Sequence, residues 1–225
     1  VMEGRRTYAN IMKYLRMGTS SNFGNMLTMA VASLWLPFLP LTPVQVLLNN
    51  LLYDLSQIGI PLDGADSEDL AKPHAWDMAA IMRFTAIMGP LSSIFDIATF
   101  ALLIGVVHAG IGEFRAAWFI ESMASQILVV FVIRTSLPFW RSKPHRALTA
   151  SALLGLASAV VLPFGPWAGL LGFTSPSIGL VAGIAALILI YLAAAELLKG
   201  YALRAAPAKA LSARLTRMPV SPAFS

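Results

Sequence analysis

The stretch IGLVAGIAALILIYLAAAELL, Ile178–Leu198, decides the fold class. Its one charged residue, Glu196, stands near its end. A helix needs about 20 mostly apolar residues to cross the ~30 Å hydrocarbon core of a bilayer, and this segment supplies them without a break. Working outward, similar stretches run over Leu148–Leu171, Trp118–Leu137, Phe84–Val107, Val44–Pro61 and Phe23–Leu39. The connections between them are Pro40–Pro43, Leu62–Arg83, His108–Ala117, Pro138–Ala147 and Gly172–Ser177. The sequence therefore predicts an all-α, polytopic membrane bundle of six transmembrane helices. Composition agrees: 57% of the 225 residues are apolar and 12% charged, about half the roughly 25% charge of a soluble domain. A soluble enzyme is argued against, and so is a disordered chain. With no Cys, disulfides and thiolate metal sites are excluded.

Charge orients the bundle. Arg5, Arg6, Lys13 and Arg16 precede the first span, Lys72 and Arg83 fall in the second connection, and Arg134, Arg141, Lys143 and Arg146 lie in or beside the fourth. Lys199, Arg204, Lys209, Arg214 and Arg217 follow the last span. Of the 16 basic residues only Arg115 falls on the other side. The positive-inside rule then places both termini in the cytoplasm. The net charge of +5 belongs to these loops, and no nucleic-acid partner is expected.

Residues 1–22 are expected to form a cytoplasmic stalk, 23–200 the six-helix domain and 201–225 a basic tail near anionic lipid heads. The stalk rests on Tyr8, Ile11, Met12, Tyr14 and Leu15 recurring at helical spacing among Arg and Lys; a separate interfacial helix is the alternative. The opening Val-Met-Glu-Gly-Arg-Arg has no signal-peptide character and begins as though something preceded it. Asp63, Asp66, Glu68, Asp69 and Asp77 make the second connection acidic, as a solvated loop or a docking surface would be.

Charged groups at bilayer depth cost about 2.5–3.5 kcal/mol on insertion scales, so a chain that keeps them usually uses them. Asp54, Asp96 and Glu121 lie inside expected spans. Asn50 and Asp54 are four apart and share a helix face, and both offer oxygen, which hard cations such as Mg²⁺ and Ca²⁺ prefer. Pro61, after Gly59, would weaken that helix at its cytoplasmic end. Asn22 and Asn25 in the first span again share a face, with Gly24 between them for close helix approach. Facing Asn50 and Asp54 across the Pro40–Pro43 hairpin, they form a second wall of an ion site. The alternative is a set of interhelical hydrogen bonds that fix packing. Gly89-Pro90 suggests a kink near Asp96, which would bond loosened backbone or another helix. Glu121, near the outer boundary, is expected to reach water. Glu196 can pair with Lys199. Trp35, Phe38, Trp118, Phe119, Phe139, Trp140 and Trp167 stand near span ends as an interfacial belt would.

Several of these runs resemble P-type ATPases. Glu3–Tyr14 and Ser20–Asn25 look like the fifth membrane helix of that family, and Asn50–Gln57 like its sixth. Gly89–Asp96, Phe119–Ser122, Ser125–Val129 and Val132–Thr135 are similar to its magnesium-translocating branch. The resemblance covers residues 2–204 and implies that the spans are the fifth to tenth membrane helices of a multi-pass protein of the inner (plasma) membrane. It places Asn22, Asn25, Asn50 and Asp54 where calcium pumps hold their ion. Asn25 replaces a carboxylate there, and Ser125–Thr135 supplies no acid. Fewer charges suit a partly hydrated Mg²⁺, as the transported ion.

The family's phosphorylation motif Asp-Lys-Thr-Gly-Thr does not occur in these residues. By the resemblance, ATP would act only through domains outside them, so this chain alone would not hydrolyse it. The expected partners are the lipid bilayer, Mg²⁺, and the N-terminal half of the same pump or a complementary chain. A truncated, non-catalytic membrane partner or remnant of such a pump is the alternative. A free-standing carrier is disfavoured by the lack of internal repeats.

Overall fold

The computed structural model of the chain describes residues 2–65 and 77–203. Asp66, Glu68, Asp69, Lys72 and His74 of the second connection, and the tail from Arg204 onward, lie outside the described residues. Among the described residues every regular element is helical, in the order α1 (Met2–Ala32), α2 (Pro43–Ser56), α3 (Met78–Ala101), α4 (Ile111–Ile133), α5 (Arg146–Val161) and α6 (Ile178–Leu203). A 3₁₀ turn, Ile60–Leu62, follows α2, a π turn, Leu102–Val106, prolongs α3, and a 3₁₀ turn, Leu162–Phe164, prolongs α5.

Four segments are long and apolar enough to cross a membrane: Met78–Val106, Ile111–Ile133, Arg146–Phe164 and Ile178–Leu203. The first two expected spans do not meet that standard. α1 ends at Ala32, not Leu39, because the chain turns over Ser33–Leu36 before Pro37. It is one unbroken helix of 31 residues, about 46 Å long, whose outer part is basic and polar. α2 has 14 residues and measures about 21 Å, short of the bilayer core. Its start is fixed by Pro43 at the first helical position and by a capping box: the Thr42 hydroxyl accepts from the Gln45 N–H and the Gln45 side chain from the Thr42 N–H. Its end comes at Ser56, where Gly59 and Pro61 carry the chain into the 3₁₀ turn. α4 begins at Ile111 rather than Trp118, and α5 with its 3₁₀ turn stops at Phe164 rather than Leu171.

The helices alternate in direction, and their ends gather at two poles. At one pole Lys13, Asp63, Arg134 and His145 meet, and Lys199 donates to the Leu137 carbonyl. At the other, Arg115 donates to the Leu39 carbonyl, Gln45 to that of Leu171, and the Thr174 N–H to that of Gly112. α4 is the centre of the bundle: 89% of its apolar stretch is buried, against 28–39% in the other three apolar segments. Those three turn apolar side chains such as Leu154, Leu189 and Leu197 outward, as a lipid-facing surface requires.

Lipid is as apolar as leucine, so close packing rather than transfer from water holds such helices together. α1 packs most extensively on α3, with Gly24 against Gly89. A Cβ on Gly24 would stand 3.1 Å from the Gly89 carbonyl oxygen, and one on Gly89 2.6 Å from Phe23 Cδ1. Ser93 Oγ donates to the Gly24 carbonyl at 2.9 Å. α3 continues through Pro90. Around α4, Phe100 meets Trp118 edge-on at 4.8 Å, and Phe38 meets Phe114 at 5.2 Å. Trp118 and Phe119 are thus core residues, 1% and 0% exposed, and not members of an interfacial belt. Trp35, Phe139, Trp140 and Trp167 are exposed as that belt expects.

Candidate functional site

α1 and α2 are tied at the basic pole, where α1 packs on the 3₁₀ turn Ile60–Leu62, but α2 packs chiefly on α5 and α4. A groove is left between α1 and α2. Its deeper hollow, about 460 Å³, is lined by Asn22, Asn25, Asn49, Asn50, Trp118 and Ser122 together with Met26 and Met29. A second hollow of about 410 Å³, nearer the basic pole, is lined by Asn10, Tyr14, Asp54 and Gln57. Asn22, Asn25 and Asn50 are therefore brought to one cleft, as the sequence suggests, while Asp54 lines the neighbouring one. Asn22, Asn50 and Asp54 are exposed along the groove and Asn25 is half-buried.

Helical phase explains the division. On α2 the buried stripe is Gln45, Asn49, Tyr53 and Ser56, and Asn50 and Asp54 stand one residue further round, at the groove's edge. On α1, Ser20, Gly24 and Thr28 are buried, with Gly24 and Thr28 meeting α3, and the neighbouring Ser21 and Asn25 meet α4. There the Asn25 side-chain oxygen accepts from Gln126 Nε2 at 3.4 Å and from Ser122 Oγ at 3.5 Å. Gln126 Nε2 also donates to Ser122 Oγ at 2.6 Å, and Ser21 Oγ donates to Gln126 Oε1. Gln126 and Ser122 thus orient the Asn25 amide. Asn49 donates to Ser122 Oγ at 3.4 Å, and its own carbonyl oxygen is buried on the cleft wall with no partner. Asn49 is legible in the sequence as the i+4 member of the Gln45–Tyr53 stripe, whereas Asn50 stands out only by its i+4 spacing to Asp54.

The other two membrane acids sit elsewhere. Asp96 accepts from Thr28 Oγ1 at 2.6 Å and from Trp118 Nε1 at 2.8 Å, so it bonds two other helices rather than loosened backbone. Glu121 is 1% exposed and contacts Asp96; it does not reach water, because α4 runs through the middle of the bundle. The stripe Trp118, Glu121, Ser122, Ser125 and Gln126 carried the signal for this.

Asp63 is the largest departure from the sequence reading. It is 0% exposed rather than solvated. Its carboxylate accepts from Lys13 Nζ at 2.9 Å, from Arg134 Nη1 at 2.8 and 2.9 Å, and from the His145 N–H at 3.0 Å. Asn10 Nδ2 donates to the Pro61 and Asp63 carbonyls. Burial alone would raise the Asp63 carboxyl. Lys13, the His145 N–H and Arg134 outweigh it and hold the group below its ordinary value. Lys199 pairs with Glu196 at 2.8 Å, as expected. Among the described residues no three His, Asp or Glu converge as a metal-binding group.

The family model for the cation transporting ATPase C-terminus matches residues 38–201. The magnesium-transporting ATPase, P-type 1, of Salmonella typhimurium 14028s is 43% identical over 206 residues, and that of Escherichia coli K12 is 41% identical over the same length. A further magnesium-transporting ATPase, P-type 1, of Salmonella typhimurium LT2 is 40% identical. Each comparison covers 89% of this chain and 23% of the relative.

Proposed function

Because this chain belongs to the cation-transporting ATPases, matching their C-terminal region, we propose that it forms the ion-translocating membrane segment of a pump that carries Mg²⁺ into the cell. In this reading all six helices span the inner membrane, and the pole carrying Lys13, Arg134 and Lys199 faces the cytoplasm with both termini. α1 and α2 then cross despite their polar residues, because those residues turn toward α3, α4 and the groove, and the short α2 completes its crossing only with the chain that continues through the 3₁₀ turn Ile60–Leu62. The relatives' printed activity, magnesium transport, supports the choice of ion.

The observation that carries the proposal is the groove itself. It holds oxygen donors at membrane depth, where unpartnered polar groups are expensive. Asn22, Asn25 and Asn50 line the deeper hollow, Asp54 adds the carboxylate one hollow nearer the cytoplasm, and the buried Asn49 oxygen waits for a partner. Neutral amides and a single acid suit an ion that keeps part of its water. Six waters occupy about 180 Å³ at ~30 Å³ each, which the 460 Å³ hollow accommodates. Exposed Asn22, Asn50 and Asp54 cannot face lipid tails, so a further segment of the pump closes the groove. ATP hydrolysis belongs to other domains of the pump, outside these residues.

The test is a thermal-shift titration of the purified chain in nanodiscs. Mg²⁺ at 100 times its Kd should stabilise the native state by about 2.7 kcal/mol, and Asp54→Ala should remove the shift. No shift at millimolar Mg²⁺ favours a non-transporting membrane partner; a full shift in Asp54→Ala overturns the site.

A further inference from the structure

Asp96 on α3 and Glu121 on α4 face one another behind the cleft. Each is 1% exposed, and their carboxyls are in hydrogen-bonding contact. No Lys, Arg or His among the described residues forms an ion pair with either. Asp96 is fixed as an acceptor: Oδ2 takes the Thr28 hydroxyl of α1, and Oδ1 the Trp118 indole N–H of α4. The other titratable group facing the pair is Tyr191 of α6, whose hydroxyl is near both acids, bonds Ser92 of α3, and has Tyr53 of α2 beyond it.

An ionised carboxylate only accepts hydrogen bonds, whereas a neutral one donates through its O–H. Two ionised groups in contact at bilayer depth would repel with no water to screen them. Both Asp96 oxygens are engaged, one by an indole N–H that can only donate, whereas Glu121 Oε2 receives no donor, so the hydrogen that closes their contact is placed on Glu121. Glu121 Oε2 is buried from solvent and receives no hydrogen-bond donor, a position where a full negative charge would be uncompensated.

We propose that Asp96 and Glu121 form a buried proton-binding site, in which Glu121 carries a single hydrogen and donates it to Asp96. The occupied pair joins three helices through one centre: α1 by Thr28, α3 by Asp96, and α4 by Trp118 and Glu121. Trp118 also lines the deeper hollow, so the proton sits directly behind the cleft wall. The site does not depend on what ion the cleft takes.

Infrared spectroscopy of the purified chain in nanodiscs reads the hydrogen directly, because a neutral carboxylic acid has a C=O stretch that an ionised carboxylate lacks. At pH 7 the wild type should show this band, and Glu121→Gln should lose it. The amide N–H introduced by Glu121→Gln can replace the O–H to Asp96, so that variant should keep its thermal midpoint. Glu121→Asp, in which an acid persists, should restore a neutral-acid band. Absence of the band in the wild type at pH 7 overturns the proposal, as does a band that survives in Glu121→Gln. A band that appears only after chelation of divalent ions also overturns it, since the pair would then hold a metal instead.

Discussion

Asp63→Ala is expected to lower the thermal midpoint of the purified chain by about 10 °C. Lys13 and Arg134 are 6% and 3% exposed and meet on this one carboxylate, whose further oxygen capacity is used by the His145 N–H. Removing the acid leaves two buried cations facing each other. Breaking a buried pair from one side costs about 3–5 kcal/mol, because the remaining charge loses its compensation. Asp63→Asn should cost nearly as much, since an amide keeps the shape and not the charge. Lys13→Met added to Asp63→Ala should recover part of the loss. A midpoint within a degree of wild type for Asp63→Ala would show that the ion network contributes nothing.

The same carboxylate sets an acid limit. Its folded pKa lies below its unfolded value of ~3.9, so the folded state binds fewer protons there. Its stabilisation is complete above the unfolded value and is lost as pH falls through the folded one. Wild type should therefore lose midpoint steeply on acidification below about pH 4, and Asp63→Ala less steeply. Equal slopes would assign the acid loss to other groups.

Gly59→Ala is expected to split the packing of α2 on α5. A Cβ at Gly59 would stand 2.4 Å from both the Cα and the N of Leu148, and 2.6 Å from the Ala147 carbonyl carbon. These are backbone atoms in the first turn of α5, and no side-chain rotation relieves the overlap. Overpacking usually costs about 1–3 kcal/mol, and a main-chain clash belongs at or above the top of that range. The Ser151 hydroxyl, which donates to the Ser56 carbonyl at 2.8 Å, should detach as the helices part. Size-exclusion profile and thermal midpoint measure the outcome. Gly64→Ala is the matched control, because nothing stands within 4 Å of its added carbon. Equal behaviour of the two variants would remove the steric argument.

Helix number and order are legible, and four of the six helices announce themselves by apolar length. Gly59 and Pro61 place the end of α2 well, but the expected first span runs on through Pro37 to Leu39, and other helix ends also move by up to a turn or two where apolar residues continue into loops. The cleft was legible as far as helical spacing reaches: Asn22, Asn25 and Asn50 do share it. Which of two adjacent asparagines turns inward, Asn49 or Asn50, depends on the phase imposed by α4 and α5, which local spacing does not contain. Asp63 looked like one acid in an acidic loop. Its burial comes from Lys13 and Arg134, 50 and 71 residues away, and no pattern around Asp63 records them. The burial of Glu121 is hidden from the sequence for a related reason, since a residue's depth along a span says nothing of whether neighbouring helices enclose it.

The central position of α4 also constrains the order of biosynthesis. Its polar stripe finds a partner on a helix made much earlier, Ser21 with Gln126 across 105 residues, and α3 does the same, Thr28 with Asp96 across 68. When α1 leaves the ribosome, neither partner exists, and α1 is not apolar enough to settle alone in lipid. It has to remain in a sheltered, laterally open place until α3 and α4 arrive. In the reading proposed above, in which α1 also crosses, assembly is a late, collective insertion of α1, α3 and α4, not a sequence of independent spans. Truncations that stop before α4 should leave α1 stranded at the insertion machinery and exposed to membrane proteases.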